Sequence, residues 1–132
     1  IGADQVLDLN GVCLGKPGDH EAAREQLQNL SGRRAIFYSA MAVLWPQGRL
    51  LAVVPCEAHF LPLTSLEIET YLQAEKPYDT AGSAKAEGLG IALLESLSSD
   101  DPTAIIGLPL IRLAAMLRRA GINPLTKIHT TP

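Results

Sequence analysis

RAIFYSAMAVLW (residues 34–45) and LLAVVPCEAHF (residues 50–60), separated by the turn-forming Pro46-Gln47-Gly48, decide how this chain folds. Both runs are dense in β-branched, aromatic and small apolar residues, which suit a pleated, half-buried surface. The proline and glycine between them supply a turn, so the pair predicts a long β-hairpin. Toward the N-terminus, residues 1–9 are again apolar and β-branched at several positions. Asn10-Gly11 signals a tight turn, with Val12, Cys13 and Leu14 starting the return strand.

Helical signals lie between and beyond the strands. Asp19 fits an N-cap for a helix carrying Ala22, Ala23, Gln26, Leu27 and Leu30, stopped at Gly32. Thr64-Ser65-Leu66-Glu67 matches a capping box, followed by Leu66, Ile68, Tyr71 and Leu72 on an amphipathic helix. Residues 75–90 are rich in Gly, Ala, Ser and charge without a sustained period, and lead as a loop into the apolar run Ile91-Ala92-Leu93-Leu94. Pro109 opens a last helix with Leu110, Leu113, Ala114 and Leu117 along one face and Arg112, Arg118 and Arg119 largely outside it. Gly121 and Pro124 end it, and residues 125–132 read as a loosely held tail.

With 132 residues, 47% of them hydrophobic, the chain has enough for one α/β domain and little room for a second. A net charge of −3 and a pI near 5.5 lack the basic surplus that a nucleic-acid backbone or an anionic membrane requires. A small ligand fits better. Cys13 and Cys56 stand apart from any CxxC or ligand-spaced His, so both are expected to be small apolar side chains in a reducing, cytoplasmic compartment. No run reaches the roughly 18 apolar residues of a membrane span, and no leader pattern opens the chain. Residue 1 is Ile and begins inside a strand, which leads us to expect further sequence before it.

Few residues stand out for chemistry. Asp4 places a carboxylate on a strand, either tied to backbone amides or fixed there as a general base or metal ligand. Lys16, in Gly15-Lys16-Pro17, is either solvated or a point-charge clamp on phosphate oxygens. If residues 85–87 are extended, Lys85 and Glu87 share a face, as a solvated pair or as part of a site. Ser39, Arg33 and Arg34 carry weaker signals, the arginines reading as dipole partners beyond a helix end. His20, His59 and His129 are scattered and do not suggest a triad.

Taken in order, Gly2-Ala3-Asp4-Gln5-Val6, Gly15-Lys16-Pro17, Leu30-Ser31-Gly32 and AGSAKAEGLG (residues 81–90) resemble the Maf family of nucleotide pyrophosphatases. The likeness continues through Asp101-Pro102, Ile106-Gly107-Leu108-Pro109-Leu110 and the Arg-rich last helix, and is greatest to the branch acting on 7-methyl-GTP. The resemblance implies an α/β fold, a mixed sheet with flanking helices, over residues 1–124, here lacking the family's N-terminal strand-loop-helix with its Ser/Arg loop. It also implies hydrolysis between the α and β phosphates with a divalent cation, Mg²⁺ or Mn²⁺. By the same analogy Asp4 is the catalytic residue, the proton acceptor or metal-linked carboxylate that activates water, and Lys16 helps neutralise the phosphates. Gln5 and Glu87 govern substrate choice, and Ser39 and Lys85 line the pocket.

Base chemistry supports the role given to Glu87. A carboxylate only accepts hydrogen bonds, matching the two adjacent donors on the N1/N2 edge of guanine, whereas Gln suits the acceptor-donor edge of uracil or thymine. Methylation at N7 makes the purine cationic and strengthens the contact. Three rival readings stand beside this one: a UTP/dTTP pyrophosphatase of the same family, a non-catalytic nucleotide-binding or regulatory domain, and a purely structural interaction domain. The partner expected is the nucleotide alone, with a homodimer open.

Overall fold

The computed structural model describes residues 1–127. Gly2–Leu9 (β1) turns through Asn10 and Gly11, at φ 51° and 85°, into Val12–Leu14 (β2). Two successive left-handed residues are what a two-residue hairpin turn matched to strand twist demands, and Asn-Gly meets that demand with little strain. Arg34–Trp45 (β3) and Gly48–Phe60 (β4) form the expected hairpin, with Trp45 paired to Gly48. The turn proper is therefore Pro46-Gln47, and β4 starts before Leu50. Leu94–Ser98 (β5), which the apolar run 91–94 only touched, closes the other edge after a 3-10 turn at Leu89–Leu93.

The sheet order is β2-β1-β3-β4-β5. The resemblance implied a mixed sheet, but each pairing is antiparallel, since both hairpins reverse the chain and β3 returns beside β1 in the opposite sense.

Alternation gives the sheet an inner and an outer face. Leu7, Leu9, Ala35, Phe37, Cys56, Ala58 and Phe60 point inward and are buried. His20–Leu30 (α1) and Ser65–Glu75 (α2) lie over them through Ala23, Leu27, Leu30, Ile68, Tyr71 and Leu72. Asp19 Oδ1 accepts from the Ala22 amide at 2.8 Å, as the N-cap reading expects. The capping box is complete, because Glu67 N donates to Thr64 Oγ1 at 3.1 Å and Thr64 N to Glu67 Oε1 at 2.9 Å. Leu66, assigned to the apolar face of α2, is instead 76% exposed because it lies in the first turn, outside the packed stripe.

A second core forms at the far end of the hairpin. Met41 and Val43 meet Leu113 and Met116 of Leu110–Arg119 (α3), with Trp45, Leu50 and Leu117 around them. Leu110 is half exposed and Met116 takes the inward position. Gly121, at φ 93°, ends the helix, and Pro124–Lys127 (α4) follows. The rest of the expected tail, residues 128–132 with His129, lies outside the described residues. Cys56 is buried, which pushes its thiol up from its ordinary value, whereas Cys13 is exposed on the edge strand β2 rather than packed.

On the outer face Leu44, Leu51 and Val53 are exposed, and Val6 is partly so. Among the described residues no helix is long and apolar enough to cross a membrane.

Candidate functional site

Because side chains alternate along β1, consecutive Asp4 and Gln5 stand on opposite faces of the sheet. Gln5 is in register with Ser39, and the two point inward together. Gln5 Nε2 donates to Ser39 Oγ at 3.1 Å and to the Ala104 carbonyl at 3.1 Å, while the Ser39 hydroxyl donates to that carbonyl at 2.9 Å. Ser39 is fully buried. The pair ties β1 and β3 to the 3-10 turn Pro102–Ile106, and a ligand reaching it has to displace these bonds.

Asp4 faces outward and is exposed. Its Oδ1 accepts from the Gln5 amide at 2.9 Å, the backbone tie that the sequence offered as its structural alternative. Around it Gly2, Ala3, Ala40, Met41, Ala42 and Leu51 line a shallow depression of about 290 Å³. Small neighbours leave the carboxylate open to a ligand.

Lys16 is exposed in the connection between β2 and α1, and that connection is joined at several points to the segment 78–83. The Gly15 carbonyl accepts from the Gly82 amide at 3.2 Å and from Gln26 Nε2 at 3.0 Å. The Gly18 amide donates to the Tyr78 carbonyl at 2.9 Å, and His20 Nδ1 lies 3.1 Å from the Tyr78 hydroxyl. Gly82, at φ 69°, is required on two counts: its backbone is left-handed, and an added Cβ would stand 2.1 Å from Leu7 Cδ2.

Lys85 and Glu87 are near neighbours but not on an extended segment. The Gly88 and Gly90 amides both donate to the Lys85 carbonyl, at 3.0 and 2.9 Å, which winds residues 86–88 into a turn. An added Cβ at Gly90 would lie 2.3 Å from that carbonyl oxygen, so glycine is what permits the turn. Lys85 Nζ sits 3.7 Å from Glu75 Oε1, so the lysine finds its carboxylate on α2 rather than at Glu87, which is exposed. Tyr71 anchors the base of this turn, its hydroxyl donating to the Ser83 carbonyl at 2.7 Å and accepting from the Lys85 amide at 2.9 Å. Burial, reinforced by the charges of Glu75 and Glu87, pushes the Tyr71 hydroxyl up to about 12 despite the opposing Lys85 amide.

Sequence reasoning missed three polar side chains that build this region. In the sequence Tyr71 belongs to an apolar stripe and Gln26 to a helix, and nothing local marks either as polar scaffolding. Asp101 carries no role in the motif that contains it. It is buried, with Oδ1 accepting from the Thr103 hydroxyl at 2.6 Å and amide at 3.2 Å, and Oδ2 from the Arg112 amide at 3.0 Å. Burial pushes its carboxyl up, but these hydrogen bonds outweigh burial and hold it below its ordinary value. Arg34, expected as a dipole partner, lies in β3 and pairs with Glu57 across the hairpin.

Asp4, Lys16 and Glu87 are not joined to one another by a hydrogen bond or ion pair among the described residues. Nor do those residues include a cluster of three or more His, Cys, Asp or Glu placed to hold a metal ion. The donor set at Asp4 is one open carboxylate. That suits a hard cation completed by water and substrate phosphates rather than an all-protein cage.

The model of the Maf-like protein family matches residues 1–120. The chain belongs to this family. It is 59% identical over 125 residues to a 7-methyl-GTP pyrophosphatase of Bordetella avium, covering 95% of this chain and 64% of that protein. A 7-methyl-GTP pyrophosphatase of Bordetella pertussis is 58% identical over 126 residues, or 96% of this chain and 63% of that protein. One from a Polaromonas species is 55% identical over 127 residues, or 92% and 57%. This Maf chain thus spans less than two thirds of the length of these relatives. Its Lys16 connection and the turn holding Lys85 and Glu87 form one hydrogen-bonded unit, with Asp4 on the opposite sheet face.

Proposed function

We propose that this Maf chain carries the catalytic carboxylate and the base-reading segment of a pyrophosphatase that converts 7-methyl-GTP to 7-methyl-GMP and pyrophosphate. The observation that carries the reading is the joined pair of loops, which holds a phosphate-suited lysine, Lys16, in fixed relation to the exposed Glu87. The names of the relatives support the same substrate. Water attacks the α phosphorus, the bond from that phosphorus to the α–β bridging oxygen breaks, and pyrophosphate leaves carrying that oxygen. Asp4 takes the proton from that water or orients it, Lys16 offsets the phosphate charge, and Glu87 accepts from the donor edge of guanine, which requires the nucleotide to reach from the joined loops past β1 to the outward-facing carboxylate. Lys85, held by Glu75, shares the turn with Glu87, and Gln5 and Ser39 support the strand that carries Asp4. A divalent cation such as Mg²⁺ or Mn²⁺, held by Asp4 and the phosphates, would supply charge neutralisation and a more acidic water. A cytoplasmic setting suits the exposed thiol of Cys13.

A nucleotide panel assayed for pyrophosphate release tests the reading; release of orthophosphate alone would sink it. Glu87→Gln should move preference from 7-methyl-GTP toward UTP or dTTP, and an unchanged profile counts against the base-edge argument. That Asp4, Lys16 and Glu87 are not joined to one another among the described residues motivates a second reading, nucleotide binding without turnover. Calorimetry with 7-methyl-GTP alongside the assay separates the two, and sedimentation decides between a monomer and a homodimer.

A further inference from the structure

Ser83 adopts φ 62°, a left-handed conformation that a residue with a side chain rarely holds, directly after Gly82 at φ 69°. It is also fully buried. Glycine would relieve the backbone at this position, so something specific to serine must offset the strain. The hydroxyl supplies it by donating to Gln26 Oε1 at 2.7 Å. With Oε1 so engaged, the Gln26 amide is locked in one orientation and its nitrogen is aimed at the Gly15 carbonyl, 3.0 Å away. Gly15 precedes Lys16. On the other side, the Ser83 carbonyl and the Lys85 amide are both bound by the Tyr71 hydroxyl.

We propose that Ser83 and Gln26 are positioning residues for the nucleotide site, a relay that fixes the Lys16 loop relative to the turn bearing Lys85 and Glu87. The proposal rests on the pyrophosphatase reading. The relay acts on the spacing between the phosphate end and the base end of one ligand, a dimension to which turnover is sensitive at about the ångström level. Neither residue needs to touch substrate. Ser83 is strained because the relay needs a hydroxyl there, and Gln26 is needed because its amide both accepts from Ser83 and donates to Gly15.

Two substitutions break the relay at different links in the intact protein. Ser83→Gly removes the hydroxyl while relieving the backbone, so a purely structural role predicts a lower Tm with unchanged kinetics. Gln26→Glu keeps an acceptor for Ser83 but turns an oxygen toward the Gly15 carbonyl. We expect each to lower kcat/KM for 7-methyl-GTP about 10- to 100-fold. We expect the double variant to lose no more than the worse single one, and Tm of Ser83→Gly not to fall. Wild-type kcat/KM in Ser83→Gly, or losses that multiply in the double variant, would overturn the relay. If the wild-type protein releases no pyrophosphate, the functional reading fails on its own. Amide exchange at Gly82, whose N–H goes to Gly15, then decides: faster exchange in both variants supports the relay, and unchanged exchange refutes it.

Discussion

Asp4 and Gln5 are adjacent in sequence and face opposite sides of the sheet, so they respond differently to substitution. Asp4 is exposed, with its hydrogen bond coming from the next backbone amide. Asp4→Asn should therefore leave Tm within a degree or so of wild type while lowering pyrophosphate release about 10²- to 10⁴-fold. Equal loss of Tm and activity would point to a structural carboxylate instead. Tyr71 offers a test through pH. Its hydroxyl is pushed up to about 12 by burial, against an ordinary value near 10. A folded-state value above the unfolded one contributes stability that is complete below about pH 10 and lost as pH rises toward 12. Denaturant midpoints measured across that window should fall, and Tyr71→Phe should flatten the decline. The residue types were legible in the sequence, but Ser83 was not, because nothing local reveals that a serine in a Gly-Ala-Ser stretch holds a left-handed backbone.

Elements whose determinants are local could be read directly. Asn10-Gly11 specifies its own hairpin, and Thr64 with Glu67 caps α2 from within four residues of sequence. The start of α3 is different. Its N-cap, Pro109, has no side-chain donor or acceptor, and the orphan amides are taken by residues upstream: Leu110 N donates to Thr103 Oγ1 at 2.7 Å and Arg112 N to Asp101 Oδ2 at 3.0 Å. A cap delivered across a separate 3-10 turn leaves no signature at the helix itself. Asp101→Asn should cost about 1.5–3 kcal/mol, since a buried charge-assisted network loses its acceptor. Because hydrogen bonding holds the folded Asp101 carboxyl low, its contribution is present above the ordinary carboxylate value and is lost as pH falls through the folded one. The gap in Tm between wild type and variant should narrow in acid; a constant gap would argue against the charge. Residues 85–87 failed as an extended segment for a similar reason, since the Gly88 and Gly90 amides fold back onto Lys85.

At the scale of the molecule, burial is one-sided. Phe37 is buried beneath α1 and α2, whereas Leu51, just as apolar, is 72% exposed on the other face. Phe37→Ala should cost about 3–5 kcal/mol, while Leu51→Lys should shift stability by less than about 0.5 kcal/mol. Urea titrations read both, and a large loss from Leu51→Lys would mean that the outer face is packed. Composition marks β3 and β4 as strands but not which face the helices cover, because both faces carry apolar residues. The hairpin also spans two separate cores, and this has an optical consequence. Trp45 is the only tryptophan in the sequence and packs against the core under α3, away from the one under α1 and α2. Its fluorescence reports the seating of a single helix, while circular dichroism averages over every helix and strand. If the two signals melt together, the hairpin transmits cooperativity from one core to the other; if Trp45 emission shifts first, α3 detaches as a separate unit.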